Sequence, residues 1–241
     1  MHLTPQDRLF VLTGAGISAE SGLATFRGSG GLWNGHRVEE VATPEAWDAN
    51  PELVWRFYSQ RRRDALAAEP NAAHRALAQI EQRLAKTSPE NFYLCTQNVD
   101  DLHERAGSHR IHHMHGSLFQ SRCTRPSRQC PAQPFPDQSF YEDPKNLPTC
   151  KTCGKPIRPH IVWFGEIPLD MDGIYRELNR ATILLVVGTS GSVYPAAGFV
   201  NIANQRGIRT IYVGPEEPLN TDAFDEVILS TATEALPKLL E

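Results

Sequence analysis

Short apolar runs recur along the chain and alternate with longer stretches that have the spacing of amphipathic helices. Runs of this length that are rich in Val, Ile and Leu are typical of buried strands in a parallel sheet. The predicted strands are Leu9–Thr13, Phe92–Thr96, Ile161–Phe164, Ile183–Gly188, Thr210–Val213 and Val227–Leu229. The clearest predicted helices are Pro51–Glu69 and Asn71–Lys86, the second of which opens with an Asn cap. This alternation predicts an α/β fold, a mostly parallel sheet with helices on both faces.

One segment interrupts the alternation. Residues 121–159 are rich in Pro, Cys and polar side chains, and they contain too few apolar residues to form a core of their own. We therefore expect a further source of stability in this segment. The chain has five cysteines, and the odd number, without a signal peptide before the first apolar run, argues against a disulfide scaffold. We expect a cytoplasmic protein.

Composition narrows the choice of partners. The 241 residues are enough for one large domain, or for a large domain that carries a smaller one. A net charge of −4 gives no overall field for DNA or anionic lipid, and no apolar run reaches the length of a membrane span. The densest basic run, Arg61 to Arg63, lies within a predicted helix, and by default such a run is a solvated helix face.

A glycine-rich turn follows the first predicted strand. Gly14, Gly16 and Ala19 match the G-x-G-x-x-[GA] pattern, in which glycines allow the backbone to approach a pyrophosphate. A plain strand–turn remains an equal alternative on this match alone. A nicotinamide dehydrogenase also needs a second strand that ends in an acidic residue about 20 residues later, and residues 30–36 do not form a strand pattern. A dinucleotide is therefore compatible with this turn, but the hydride-transfer layout is missing.

Longer motifs decide between these alternatives. In order along the chain, they are GAGISAESGLATFRG (14–28), TQNVDDLHERAG (96–107), HG (115–116), RPHIVWFGE (158–166) and GTSGSVYPAAGF (188–199). In content and order they resemble the sirtuin family over nearly the whole chain. The resemblance implies an NAD-dependent protein-lysine deacylase that releases nicotinamide and O-acyl-ADP-ribose. It also implies a Rossmann-like NAD-binding domain (1–35, 87–118 and 166–241), a helical insertion (36–86) and a zinc-binding module (119–165).

The resemblance implies a set of cofactor-binding residues in the glycine loop, after the predicted strands and near the end of the chain. They are Gly14, Ala15, Gly16, Ile17, Ser18, Phe26, Arg27, Trp33, Gln97, Asn98, Val99, Asp100, His115, Gly188, Thr189, Ser190, Gly214, Pro215, Glu216 and Ala232. Asn98 and Asp100 resemble the pair that holds the ribose and the nicotinamide amide, although such residues after a strand are also common helix caps. Gly214 stands where the family often has Asn, so only backbone contact is expected there.

Two residues are the candidates for catalysis, His115 and Asn98. Position alone does not choose among the nine histidines of the chain, but only His115 precedes a glycine as the family motif requires. Imidazole has an ordinary pKa of about 6.5 and accepts a proton near neutral pH. In the implied reaction the acyl oxygen attacks the ribose carbon as nicotinamide leaves. His115 then takes a proton from a ribose hydroxyl, and that oxygen attacks the acyl carbon.

Tyr58 and Arg61 stand three residues apart on a predicted helix and therefore share a face. They resemble the Y-x-x-R signature of the bacterial-type class III sirtuins that remove succinyl and malonyl groups. A guanidinium fork and a phenol hydroxyl together can bind a carboxylate; without the resemblance, an exposed Arg beside a half-buried Tyr would be the simpler interpretation. Desuccinylation is the leading prediction, with deacetylation as a second activity. The remaining predicted substrate contacts are Val162, Phe164, Gly165 and Glu166.

Four cysteines are the candidate zinc ligands. Cys150 and Cys153 form a C-x-x-C half-site, whereas Cys123 and Cys130 are separated by six residues, more than the family usually has. Either a lengthened loop brings Cys130 to the metal, or the site is weakened or lost. We expect the first, because the segment has no other visible source of stability. Four thiolates leave no open position, so one structural zinc per chain is expected.

Two other classes of function remain as alternatives. An NAD glycohydrolase or ADP-ribosyltransferase would use the same cofactor without deacylation, and release of nicotinamide in the absence of an acyl peptide would identify it. A zinc-ribbon module that binds nucleic acid is disfavoured by the acidic balance of charge. The expected partners are acyl-lysine proteins or peptides, with no nucleic acid and no membrane, and the expected state is a monomer.

Overall fold

The computed structural model of the chain describes residues 1, 3–4, 6–25, 33, 35–125, 127–128, 130, 133–142 and 147–241. The strands of this part of the chain are β1 Leu9–Thr13, β2 Phe92–Thr96, β3 Ile111–His113, β4 Gly116–Cys123, β5 Phe135–Pro136, β6 Ile157–Ile161, β7 Ile183–Val187, β8 Arg209–Gly214 and β9 Glu226–Leu229. The α-helices are α1 Gly16–Ala19, α2 Val38–Val41, α3 Pro44–Ala49, α4 Pro51–Ala67, α5 Ala72–Ala85, α6 Leu102–Arg105, α7 Met171–Arg180, α8 Phe199–Gln205 and α9 Ala232–Leu240.

A parallel sheet of six strands in the order β3-β2-β1-β7-β8-β9 forms the centre of the molecule. Every neighbouring pair in this sheet is parallel. Strands β1 and β7 are buried along their whole length, because helices cover both faces of the sheet. One apolar cluster joins the sheet to α5 and α9, and a second joins the opposite face to α7 and α8. The predicted Rossmann-like architecture, with helices on both faces, is confirmed.

The predicted strand Ile161–Phe164 is wrong. The strand at this place is β6, which begins at Ile157, ends at Ile161 and lies in a separate antiparallel sheet of order β5-β4-β6. Its Arg158 and His160 are each only 8% exposed. Apolar periodicity misses such a strand, because its buried positions include the charged Arg158, which pairs with Glu166, and the polar His160.

The two long predicted helices are present, with small differences at their ends. Asn71 caps α5, and its side chain accepts hydrogen bonds from the N–H groups of Ala73 and His74. Helix α4 ends at Ala67, two residues before the predicted end at Glu69. Glu69 precedes Pro70, and a residue before proline is disfavoured in the helical conformation, so the helix stops short.

The predicted solvated face at Arg61 to Arg63 is wrong for Arg62, which is 0% exposed. Arg61 is partly buried, and only Arg63 is exposed. Along helix α4, Arg61 lies against the Trp33 ring and Arg62 bonds to the carbonyl of Leu118 in the small antiparallel sheet. Within the described residues, no helix has both the length and the apolar character needed to cross a bilayer.

The turn after β1 and the turn after β7 make a close backbone contact. The N–H of Gly16 donates to the carbonyl of Gly188 at 2.8 Å, and a Cβ on Gly16 would lie 2.7 Å from the Cα of Gly188. Gly188 has a φ of +63°, in the left-handed region that favours glycine. A side chain at position 16 therefore meets backbone that cannot move aside as a flexible side chain would.

We expect Gly16→Ala to lower the free energy of unfolding by about 1–3 kcal/mol, because the added methyl group overpacks this backbone contact. Urea unfolding of the variant and the parent measures the change. Gly198→Ala is the matched control, because its backbone is helical and its added Cβ would lie 3.6 Å from the Tyr194 ring. The control should be neutral or slightly stabilising. Equal stability of Gly16→Ala and the parent would contradict the assigned contact.

Candidate active site

The carboxyl ends of the parallel strands meet at one edge of the sheet, and hydrogen bonds join the loops that follow them. The N–H of Gly14 donates to the carbonyl of Val187 at 3.0 Å, and that of Gln97 donates to Thr13 at 2.9 Å. These bonds join the ends of β1, β2 and β7. Such an edge is where open α/β sheets bind their ligands.

His115 lies at this edge, between the end of β3 and the start of β4. Its Nδ1 is 3.0 Å from the carbonyl oxygen of Gln97. A carbonyl only accepts, so Nδ1 carries the proton and donates, and Nε2 is left as an acceptor in the neutral ring. Burial lowers the pKa of His115 below its ordinary value, against the opposing effect of the Gln97 carbonyl. The side chain is therefore a neutral base near pH 7.

Ser18 links the two predicted ribose-binding residues. Its hydroxyl donates to the Asp100 carboxylate at 3.2 Å and accepts from the Asn98 side-chain amide at 3.1 Å. All three side chains are at most 7% exposed. Burial raises the pKa of Asp100, although the Leu102 N–H and the Ser18 hydroxyl stabilise its charged form. Ser18 thus orients Asn98 and Asp100 in the structure, beyond the ligand contact predicted for it.

The other predicted cofactor residues lie on five segments around the same edge. Gly188, Thr189 and Ser190 follow β7, and Gly214 is the last residue of β8, with Pro215 and Glu216 exposed after it. Ala15 and Ile17 belong to the glycine turn and α1, Val99 to the loop after β2, and Ala232 to the first turn of α9. Phe26 and Arg27 lie outside the described residues.

Tyr58 and Arg61 face a largely apolar cluster next to this edge. The Tyr58 hydroxyl is fully buried and accepts from the Trp163 indole N–H at 3.0 Å, so its own proton can be donated to a further group. Burial raises the pKa of Tyr58 to about 12 and keeps it protonated. The Arg61 guanidinium lies 4.2 Å from the centre of the Trp33 ring. Its Nε is buried and has no hydrogen-bond partner among the described residues.

Trp33 was predicted as part of the cofactor loop, and the structure places it against helix α4. Its ring contacts Phe57 at 5.3 Å between centroids as well as the Arg61 guanidinium. Burial lowers the pKa of Arg61, and the Tyr58 hydroxyl and the Asp100 carboxylate act in the opposite direction. Val99, in the loop after β2, packs in the same apolar cluster as Tyr58, so the Tyr58/Arg61 pair adjoins the predicted cofactor edge.

The predicted substrate segment 162–166 runs beside His115. The Val162 N–H donates to the His115 carbonyl at 2.9 Å, and Phe164 and Gly165 are exposed. Glu166 is held by Arg158, whose Nη2 lies 2.6 Å from one carboxylate oxygen. The carboxylate of Glu166 therefore helps to hold this loop in place. The exposed residues Phe164 and Gly165 are the part of the segment that a substrate can contact.

The four predicted zinc ligands come together. The sulfurs of Cys123, Cys130, Cys150 and Cys153 all lie within 4.8 Å of one another. Cys123 and Cys153 are 3.5 Å apart, and Cys130 and Cys150 are 3.6 Å apart. Tetrahedral zinc with Zn–S bonds of about 2.3 Å requires S–S separations of roughly 3.8 Å. The lengthened loop thus brings Cys130 to the cluster, and the donor set fits structural zinc.

Comparison with known proteins agrees with this geometry. The sequence model of a protein family, described as the Sir2 family, matches residues 14–195 of the chain. The chain belongs to the Sir2 family. It is 50% identical over 234 residues to the NAD-dependent protein deacylase of Caulobacter vibrioides, with 97% of this chain and 95% of that protein covered. It is 46% identical over 238 residues to the NAD-dependent protein deacylase of Escherichia coli strain K12, with 98% and 82% covered. A solved Sir2 homologue–NAD complex has a TM-score of 0.85 and 43% identity, with 97% and 88% covered.

NAD, the cofactor of this Sir2-family chain, fits the edge of its sheet. Gly14 and Gly16 pack against Gly188 and Thr189 without side chains in the way, so the turns after β1 and β7 meet at this edge, where open α/β sheets bind nucleotides. The Gln97 side-chain amide nitrogen is buried and has no hydrogen-bond partner among the described residues. Buried polar groups are normally paired, so an unpaired amide at this edge is consistent with a polar ligand.

The family motifs did not reveal the role of His113. Its Nδ1 is 3.0 Å from the Asn98 carbonyl, and its Nε2 is 2.6 Å from the Glu104 carboxylate. Both partners only accept, so both ring nitrogens carry protons and the ring is an imidazolium. Burial opposes this charge, but Glu104 outweighs it and the pKa of His113 is raised. In the sequence, the one sign of a role for His113 is its position two residues before His115. That position does not reveal that the Asn98 carbonyl and the Glu104 carboxylate accept from its ring.

We expect Cys130→Ser to reduce bound zinc well below the one equivalent per chain expected for the parent, because three thiolates no longer complete the tetrahedron. Metal analysis of the purified proteins measures the ratio, and thermal unfolding should show a lower midpoint for the variant. Cys95→Ser is the matched control, since Cys95 is buried in β2 and does not belong to the cluster. A full equivalent of zinc in Cys130→Ser would exclude Cys130 as a ligand.

Proposed function

We propose that the protein is an NAD-dependent protein-lysine deacylase that acts on succinyl and malonyl groups in preference to acetyl groups. The activity itself is supported by membership in the Sir2 family and by 46–50% sequence identity to proteins named NAD-dependent protein deacylases. The preference for acidic acyl groups rests on one observation. The partly buried Arg61 guanidinium lies against the Trp33 and Phe57 rings, in the apolar cluster that also contains Tyr58 and that adjoins the cofactor edge.

The chemistry of this pair favours a carboxylate. A guanidinium whose buried Nε has no partner is costly to leave without an acceptor, and a carboxylate can accept from it in two parallel hydrogen bonds. The Tyr58 hydroxyl has a proton to donate, because the Trp163 indole already donates to its oxygen. The surrounding side chains are apolar, among them Val99, Leu118 and Ile161. They suit the methylene groups that connect the carboxylate to the lysine.

The residues at the sheet edge would carry the reaction. Bound NAD supplies a bond from ribose to nicotinamide whose cleavage leaves a carbon that the acyl oxygen can attack. His115 presents Nε2 as an acceptor and can take a proton from a ribose hydroxyl. Asn98 and Asp100 are held in place by Ser18 and can fix the ribose and the nicotinamide amide. The apolar cluster and the partly buried edge limit the access of water.

Several finer assignments remain proposals. The cofactor and substrate contacts are assigned residue by residue from the family motifs, and the division into an NAD-binding domain, a helical insertion and a zinc module is likewise a prediction. A monomeric state, a cytoplasmic location and the lack of nucleic-acid and membrane partners are predictions as well. Protein substrates are supported by the names of the related deacylases.

We expect Arg61→Met to lower kcat/KM for a succinyl-lysine peptide by about 10–100-fold. The variant loses a charge-assisted hydrogen bond worth about 1.5–3 kcal/mol, and each 1.4 kcal/mol corresponds to about tenfold. Turnover of the acetyl-lysine peptide should change by less than about threefold, because acetyl has no carboxylate for Arg61 to bind. A panel of succinyl-, malonyl- and acetyl-lysine peptides, each with and without NAD, measures both effects.

Arg56→Met is the matched control, because Arg56 is an exposed arginine on the same helix. It should leave the ratio of succinyl to acetyl turnover unchanged. An equal loss of both activities in Arg61→Met would show that the pocket assignment is wrong. Nicotinamide release without any acyl peptide, at the rate seen with peptide, would instead identify an NAD glycohydrolase.

We expect the acidic limb of the pH profile of kcat/KM to have its midpoint below pH 6.5, the ordinary pKa of histidine. Burial lowers the pKa of His115, so the neutral, proton-accepting form persists to lower pH than in a free imidazole. Activity is therefore retained above the lowered pKa and lost as the pH falls through it. The profile is measured with an acetyl-lysine peptide, whose side chain does not titrate.

His115→Ala should lose about 10²–10⁴-fold in rate, the usual contribution of a positioned base, and the limb should disappear. His109→Ala is the matched control, because its side chain is exposed and its variant should keep the profile of the parent. A limb that persists unchanged in His115→Ala would assign the titration to another group.

A further inference from the structure

Helix α4 is buried on two faces. One face carries Phe57, Tyr58 and Arg61, which contribute to the proposed acyl pocket. The other carries Trp55, Ser59 and Arg62, which follow the i, i+4, i+7 spacing of a helical stripe and are all 0% exposed. We call this second stripe the anchor face. A helix in this position cannot rotate without breaking contacts on both faces.

The anchor face bonds to the segment that carries the zinc ligands. The Trp55 indole N–H donates to the carbonyl of Ile157 at 3.2 Å, and its ring lies 4.5 Å from that of Tyr141 between centroids. The Ser59 hydroxyl accepts from the Tyr141 N–H at 2.8 Å. These contacts fix one side of α4 to Tyr141 and Ile157.

Arg62 makes the densest set of bonds on the anchor face. Its Nε donates to the Leu118 carbonyl at 2.6 Å and its Nη1 to the Ser139 carbonyl at 2.5 Å. Its Nη1 also lies 3.3 Å from the Asp137 carboxylate, with side-chain exposures of 0% for Arg62 and 5% for Asp137. Because the guanidinium is planar and rigid, bonds in several directions determine where its helix can sit.

Asp137 is held independently of Arg62. Its carboxylate accepts from the Ser121 hydroxyl, from the Ser139 N–H at 3.1 Å and from the Tyr141 hydroxyl at 3.2 Å. The acceptor that faces Arg62 is therefore fixed to β4 and to the loop after β5. Leu118, whose carbonyl Arg62 binds, packs in the same apolar cluster as Tyr58. The bonds of Arg62 thus reach the back of the acyl pocket.

We propose that the Arg62–Asp137 pair is a positioning device that determines acyl selectivity. This inference rests on the proposed function. Arg62 follows Arg61 in the chain, so the rotation and axial position of α4 that Arg62 imposes also place the Arg61 guanidinium and the Tyr58 hydroxyl. A displacement of about 1 Å is enough to cost a large factor when a directional contact must form. An acetyl group needs no contact with Arg61 and tolerates such a displacement.

The test uses the double variant Arg62→Met/Asp137→Asn in the full chain. Removal of one partner alone would leave a buried charge unpaired, which is strongly destabilising, whereas the double variant removes both charges. We expect kcat/KM for a succinyl-lysine peptide to fall at least tenfold, mainly through a higher KM, because binding of the carboxylate is weakened. The value for the acetyl-lysine peptide should stay within about threefold of the parent.

Arg63→Met is the matched control. Arg63 is the next residue of the same helix and pairs with Glu142, but both side chains are about half exposed, so the pair contributes little to the position of α4. Its ratio of succinyl to acetyl turnover should equal that of the parent. Circular dichroism and thermal unfolding establish that each variant is folded. If the double variant does not fold, Arg62→Lys keeps a positive charge opposite Asp137 but loses the planar fork, and it should shift the ratio in the same direction.

The outcomes separate this inference from the proposed function. One set of results would overturn the positioning role of Arg62 and leave the acyl pocket standing. In that set, the parent favours succinyl-lysine, Arg61→Met loses the preference, and the folded double variant keeps it. A proportional loss of both activities in the folded double variant also overturns it, because a merely structural role would act on both. If the parent has no preference for succinyl-lysine, both proposals fail together.

Discussion

The structure of this Sir2-family chain depends on a backbone contact between two glycine turns. The Gly16 N–H reaches the Gly188 carbonyl at 2.8 Å, a distance that leaves no room for a side chain on either turn. Because β1 and β7 are parallel neighbours, this contact closes their carboxyl ends over the centre of the sheet. The loop after β2 joins the same edge through Gln97 and Thr13. The site residues are brought together by this arrangement.

The polar groups at that edge hold one another in place through hydrogen bonds. Ser18 holds Asn98 and Asp100, and the Gln97 carbonyl sets the tautomer of His115. Each of these bonds connects residues from different loops, so the relative positions of the side chains follow from the protein itself. Sites held in this way are already arranged for their ligand, which reduces the ordering required on binding.

Helix α4 connects two regions with different roles. Its Tyr58 and Arg61 line the proposed acyl pocket, while Arg62 is bonded to the segment that leads to the zinc ligands. The cysteine cluster packs against Trp55 of the same helix. A segment with few apolar residues is thus stabilised both by its metal-ligand set and by a buried helix face. The cysteine cluster and the proposed acyl pocket share that helix as a common wall.

The sequence by itself determined five of the six strands of the central sheet, the family and the identity of the site motifs, because continuous apolar runs and long local motifs carry that information within a few residues; it did not predict β3. It also predicted that the long loop after Cys123 brings Cys130 to the other thiols, which the structure confirms. Only the tertiary structure decided the course of β6, the burial of Arg62 and the contact of Trp33 with Arg61. Each of these depends on partners far away in the chain, and a polar side chain can be buried only where the fold supplies such partners.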